Sequence, residues 1–112
     1  MIIYLSGPMS GYDDFNFPAF NEAASRWRAS GFEVINPAEN FGGDTGLPRE
    51  VYLRHDVMNV AGAHGIAVLP DYELSAGSRL EVTIAQHLDM PMFDALTMRR
   101  VVDPPVYGCA PS

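Results

Sequence analysis

The stretch "HGIAVLPDYELSAGSRLEVTIAQHL", residues 64–88, decides how the rest of the chain is read. Its opening, "HGIAVLP", is a short apolar run closed by a proline, the pattern of a buried strand. A polar turn containing Ser75 and Gly77 follows. Apolar positions at helical spacing then predict a helix from about residue 78 to residue 88.

The same alternation of strand and helix extends along the chain. "MIIYLSG" predicts a strand over residues 2–6, bounded by Gly7 and Pro8, and "PMSGYDDFN" reads as loop. Asn16 is placed to cap a helix that tolerates Pro18 in its first turn and carries Phe17, Phe20, Ala24 and Trp27 at helical spacing as far as Gly31. "FEVINP" predicts a second strand, residues 49–61 a second helix, and "MPMFDAL" a fourth strand followed by a turn or helix. Strands alternating with helices demand right-handed crossovers and a parallel sheet. The expected fold is therefore α/β, three layers of flavodoxin or Rossmann type around four or five parallel strands. Ligands in such folds lie at the carboxyl ends of the strands, where the loops after the first and third strands emerge.

Composition narrows the partners. The chain has 112 residues, 47% of them hydrophobic and 19% charged, enough for one core and too few for two. Residues 1–102 are expected to form the domain, and residues 103–112 an extended tail, because "VVDPPVYGCAPS" carries consecutive prolines. That tail is either frayed or a dimer-binding arm. Seven basic against fourteen acidic residues leave a formal charge of -7 and no basic stripe, which argues against polymeric nucleic acid. A small anion held by backbone amides is compatible with that charge. The single cysteine, Cys109, has no partner for an internal disulfide, and no secretory or membrane-length apolar segment is visible, so a cytoplasmic protein without a membrane partner is expected. His55, His64 and His87 fall in different elements without metal-ligand spacing, so neither a metal nor a cofactor is expected.

Two readings compete for Glu81. In the first, Ser78 and Glu81 form a capping box, with Ser78 as the cap and Glu81 reaching back to an orphan amide. In the second, Glu81 shares a stripe with Ala85 and Leu88, flanked by Leu80 and Ile84, and leans over the sheet. A carboxylate there costs free energy unless something pairs with it or uses it. An ionised, partly desolvated carboxylate at the mouth of an α/β crevice suits a nucleophile at a sugar carbon. Asp56 is the candidate partner for the leaving group, or alternatively a solvent-facing helix carboxylate beside Arg54. Tyr4, at the end of the first strand, is either an orienting phenol for Glu81 or a core aromatic. "GPMSG", residues 7–11, has the glycine content of a phosphate-cradling loop, and Ser75 adds a hydroxyl opposite, unless it is only a turn residue.

The ordered motifs "YLSGPMSG", "FNFPAFNEAASRWRASGFEVINPAE", "LRHDV" and "LPDYELSAGSRLEVTIAQHLDMPMF" together resemble the nucleoside 2-deoxyribosyltransferase-like superfamily, most closely its small DUF4406 branch, common in phages and bacteria. The resemblance covers the chain from Tyr4 to Phe93. It implies a catalytic glutamate at Glu81, a base-side aspartate at Asp56 and a glutamate-orienting tyrosine at Tyr4. Ser75 stands six residues before Glu81, where members acting on free nucleosides usually have an acid. That serine is similar to the phosphate-contacting one of 2′-deoxynucleoside 5′-phosphate N-hydrolases, and a hydroxyl binds a phosphate that a carboxylate would repel. Pro8 and Ser10 stand where related hydrolases commonly supply a serine and an arginine. The resemblance also implies a homo-oligomer.

The leading expectation is cleavage of the N-glycosidic bond of a nucleoside 5′-monophosphate, with Glu81 as nucleophile, Asp56 assisting departure of the base, Tyr4 orienting Glu81, and Gly7, Ser10, Gly11, Ser75 and Gly77 holding the phosphate. Deoxyribosyl transfer would use the same residues. The alternatives are a nucleotide-binding module without turnover and an interaction protein in which Glu81 only caps its helix. The loop at residues 38–48 is a candidate base contact.

Overall fold

The computed structural model describes residues 1–39, 46–104 and 106. Most of the loop suggested as a base contact, and most of the tail, Cys109 included, lie outside the described residues. Among the described residues four strands and three α-helices alternate: β1 (Ile2–Ser6), α1 (Phe17–Ala29), β2 (Glu33–Ile35), α2 (Arg49–Gly62), β3 (Gly65–Val68), α3 (Ala76–His87) and β4 (Met92–Asp94). All strand pairs are parallel, in the order β2-β1-β3-β4. The three-layer α/β reading holds, with four strands.

Strand order explains where a crevice must form. From β1 the chain goes to β2 on one side, then crosses to β3 on the other, so the connections leaving β1 and β3 diverge at a switch point. The side chains of β1 divide by parity, because successive residues of a strand point to opposite faces. Ile3 and Leu5 join Phe20, Ala23, Ala24 and Trp27 of α1 in one core. Tyr4 faces the other way and packs with Val60 of α2 and Val82 and Ala85 of α3. Ser6 has the same parity as Tyr4, so β1 presents two hydroxyls to the α2 and α3 layer.

The α1 layer is anchored by Trp27, whose Nε1 donates to the Ala95 carbonyl at 2.9 Å while its ring meets Phe32 and Phe93 edge-on. That hydrogen bond lets a large indole be buried without an orphan donor.

Several local expectations need correction. Asn16 stands before α1 but has a left-handed backbone, φ 62°, and makes no cap. Its amide donates instead to the Pro8 carbonyl at 2.9 Å, which ties the β1–α1 loop to the helix start. The third helix begins at Ala76, and its cap is Ser75 rather than Ser78: the Ser75 hydroxyl accepts from the Ser78 amide at 3.3 Å. After β4, where the sequence predicts a turn or helix, the chain makes the turn: the Asp94 carboxylate accepts from the amides of Leu96 and Thr97 at 2.8 and 2.9 Å. Among the described residues no helix is long and apolar enough to cross a membrane.

Gly7 ends β1 where the crevice opens, and a Cβ there would lie 2.8 Å from the Leu69 Cβ and 3.3 Å from the Phe20 ring. The Leu69 Cβ is fixed to backbone and cannot swing away. Gly7→Ala should therefore destabilise the fold by about 1–3 kcal/mol, read as a lower midpoint in urea unfolding.

Candidate active site

Glu81 enters the protein from the second turn of α3 and meets β1 from above. Its Oε2 accepts from the Tyr4 hydroxyl at 2.7 Å and its Oε1 from the Ser6 hydroxyl at 2.6 Å. Ser6 Oγ lies 2.8 Å from Ser78 Oγ, one helical turn before Glu81. All four residues are buried, with Glu81 only 6% exposed. The capping-box reading of Glu81 is therefore overturned: its two oxygens face strand hydroxyls, and no backbone amide of its own helix. The expected stripe also shifts by one position. Ser78, Glu81, Val82 and Ala85 form the buried face, whereas Leu80 and Leu88 are exposed.

The Glu81 carboxyl is raised to about 7: burial pushes it up most, the Ser6 and Tyr4 hydrogen bonds pull it part of the way back, and the nearby Asp56 charge adds to the rise. The Tyr4 phenol is held well above its ordinary value, first by burial and then by the Glu81 and Asp56 charges, so it remains a donor at any physiological pH. Asp56, on α2, acts on both groups through its charge. It is half-buried and lines the cavity, so it is not the solvent-facing carboxylate of the blander reading.

Above Glu81 opens a cavity of about 370 Å³, within the range of small-molecule sites. Tyr4, Ser6 and Glu81 form part of its lining, together with Gly7, Met9 and Ser10 from the β1–α1 loop and Ser75, Gly77 and Ser78 from the start of α3. From α2 come Arg49, Tyr52, Leu53 and Asp56, spaced three, four and seven residues apart along one helical face. Arg49 is an unexpected cation for a first helical turn, where the helix dipole favours acids. It has no ion pair among the described residues. Among the described residues no group of three His, Cys, Asp or Glu gathers around a metal position, and His64 Nδ1 accepts from the Ile2 amide at 3.0 Å.

Residues 1–94 match the model of a domain of unknown function, DUF4406. The chain belongs to the DUF4406 family. The match runs through every strand and helix and ends with the last residue of β4. No curated protein matches the chain significantly.

Within this DUF4406 domain, the candidate residues separate into two groups. Tyr4, Asp56, Glu81, Gly7, Ser10, Ser75 and Gly77 all line one cavity. Gly11 does not; its φ of +83° explains the glycine by backbone conformation alone. Ser6, Ser78, Arg49 and Tyr52 were not singled out as cavity residues from sequence. Ser6 had a legible signal, its parity with Tyr4 on a strand. Arg49 and Tyr52 had one too, seven and four residues before Asp56. Phe15 lines the mouth, 46% exposed, in a run of three left-handed residues with φ of 52°, 53° and 62° at Asp14, Phe15 and Asn16. Non-glycine residues rarely adopt that conformation, and nothing in the sequence marked the run.

The Glu81 environment has a consequence for stability. Its folded value, about 7, lies above the 4.5 of a free glutamate, so the folded domain binds the extra proton between those pH values. Stability from this group is full below pH 4.5 and is lost as pH rises to 7, by roughly 3 kcal/mol. Glu81→Gln is therefore expected to be more stable than the unmutated domain at pH 8, by about 1–3 kcal/mol, with the difference vanishing near pH 4.5, as followed by thermal melts. Ser75→Ala, which removes the cap of α3, should cost about 1 kcal/mol at either pH.

Proposed function

We propose that this domain cleaves the N-glycosidic bond of a nucleoside 5′-monophosphate, with Glu81 as the nucleophile. The observation that carries the reading is a buried carboxylate, gripped on both oxygens by Tyr4 and Ser6, lining an open cavity of about 370 Å³. A carboxylate used only for structure is more often exposed or paired with a cation. Here none of the groups acting on it is cationic: its neighbours are two hydroxyls and another acid. The ordered motifs that resemble the nucleoside 2-deoxyribosyltransferase-like superfamily support the same assignment of Glu81, Asp56 and Tyr4.

In this mechanism a Glu81 oxygen attacks C1′ as the C1′–N bond breaks, and the bonding pair leaves with the base. Asp56 assists that departure by hydrogen bonding or proton donation to the base. Water then attacks C1′, breaking the ester to Glu81 and releasing the sugar 5′-phosphate. A second base in place of water gives transfer from the same intermediate. The phosphate rests on Gly7, Ser10, Ser75 and Gly77, where the N-terminus of α3 supplies amides and a favourable dipole. Arg49 brings the positive charge that the β1–α1 loop lacks.

Gly77 provides an independent test of that phosphate position. A Cβ there would meet nothing closer than the Ser75 hydroxyl at 3.9 Å, so packing does not require glycine within α3. Gly77→Ala should stabilise the fold by about 0.5–1 kcal/mol and at the same time weaken binding of nucleoside monophosphates in calorimetry. Unchanged affinity would move the phosphate elsewhere.

The activity is tested by incubating the protein with ribo- and deoxynucleoside 5′-monophosphates and the matching nucleosides, and following free base by chromatography. Release by the unmutated protein should fall to roughly a thousandth or less in Glu81→Gln. Because attack needs the ionised carboxylate, the rate should rise with pH through a midpoint near 7. Equal release by Glu81→Gln would sink the mechanism. Tight binding without release across the panel would leave a nucleotide-binding module.

A further inference from the structure

We propose that Ser6, backed by Ser78, is a positioning residue that fixes the plane of the Glu81 carboxylate and sets how readily it ionises. This deepens the reading of Glu81 as a nucleophile and rests on it only for the rate; the contact itself is a property of the fold.

The geometry carries the inference. One hydrogen bond from Tyr4 would leave the carboxylate free to turn about that contact. A second donor on the other oxygen, Ser6 at 2.6 Å from Oε1, fixes its plane. A hydroxyl has one proton to donate, and an ionised carboxylate can only accept. With Glu81 ionised, the Ser6 hydroxyl donates to Oε1, and the 2.8 Å contact must then run from Ser78 to Ser6. The result is a directed chain, Ser78 to Ser6 to Glu81, in which each donor polarises the next.

That chain can also reverse. When Oε1 carries a proton or a bond to carbon, Ser6 can turn its hydrogen to Ser78 Oγ, so no buried donor is stranded. Either direction suits the observed separation. The pair can thus accommodate both the free and the esterified glutamate without moving backbone.

Residue choice points the same way. Ile3, Tyr4, Leu5 and Ser6 are all buried in β1, and Ser6 alone has a small polar side chain. An aliphatic residue would serve a buried parallel strand better. A local rule broken at a cavity floor marks a functional position. The other titratable groups acting on Glu81 are Tyr4 from β1 and Asp56 from α2, and both are left intact in the test.

The test is a graded series, Ser6→Cys, Ser6→Ala and Ser78→Ala, with folding checked by circular dichroism. Glutamate carboxyl carbons are labelled and titrated by NMR, and the Glu81 signal is assigned by its loss in Glu81→Gln. The Glu81 midpoint should climb from serine to cysteine to alanine at position 6, by about one pH unit or more for alanine. Ser78→Ala should give a smaller rise. Base release should show kcat falling about tenfold or more in Ser6→Ala while KM stays within about twofold. An unmoved Glu81 midpoint in folded Ser6→Ala overturns the proposal even where cleavage is found. If Ser6→Ala does not fold, the midpoints of Ser6→Cys and Ser78→Ala decide in the same way. A shifted midpoint in a protein that releases no base upholds the role of Ser6 and discards the glycosidase reading.

Discussion

The contact between Glu81 and the two hydroxyls of β1 is the constraint around which the rest of the structure is arranged. It joins β1, one of the two inner strands of the sheet, to α3 through polar atoms inside an otherwise apolar layer, where an unmatched charge would be costly. Tyr4, Ser6 and Ser78 supply the hydrogen bonds that make the carboxylate tolerable. They do not neutralise it, since no cation is among the groups acting on it.

That arrangement opposes stability, and in the proposed reaction it would serve reactivity. A leucine or methionine at position 81 would fill the layer between α2, α3 and β1 without desolvating an acid. Instead the protein keeps a carboxyl whose titration is moved into the neutral range, with a second acid, Asp56, facing it across the cavity. The left-handed run at residues 14–16 has the same character, because backbone in a disfavoured region brings Phe15 to the cavity mouth. Costs of this kind gather at sites of function, and here they gather around one cavity.

Much of this was legible in the sequence. The apolar run before Gly7, the proline that ends "HGIAVLP" and the helical spacing from Phe17 to Trp27 are local signals, and the elements they predict are present. Errors fell at helix starts. Asn16 and Ser78 both look like caps in one dimension, but Asn16 is drawn to the Pro8 carbonyl and Ser78 to Ser6. The competing partners are distant in sequence or set by loop geometry, so local pattern cannot weigh them.

What the sequence determined by itself is the alternation of strands and helices, the parallel α/β class, the parity that points Tyr4 and Ser6 to one face, and the presence of acids at positions 56 and 81. Periodicities of two and of 3.6 residues are properties of the local backbone, so they can be read without knowing what lies opposite. Only the tertiary structure decided that Glu81 turns away from its own helix, that Ser6 and Ser78 join Tyr4 around it, and that Arg49 and Tyr52 share its cavity. Those outcomes depend on the order β2-β1-β3-β4, which brings residues 4 and 6 beneath residue 81 across more than seventy positions of chain. Hydrogen bonds are short-ranged and directional, so their partners exist only once the sheet has placed them.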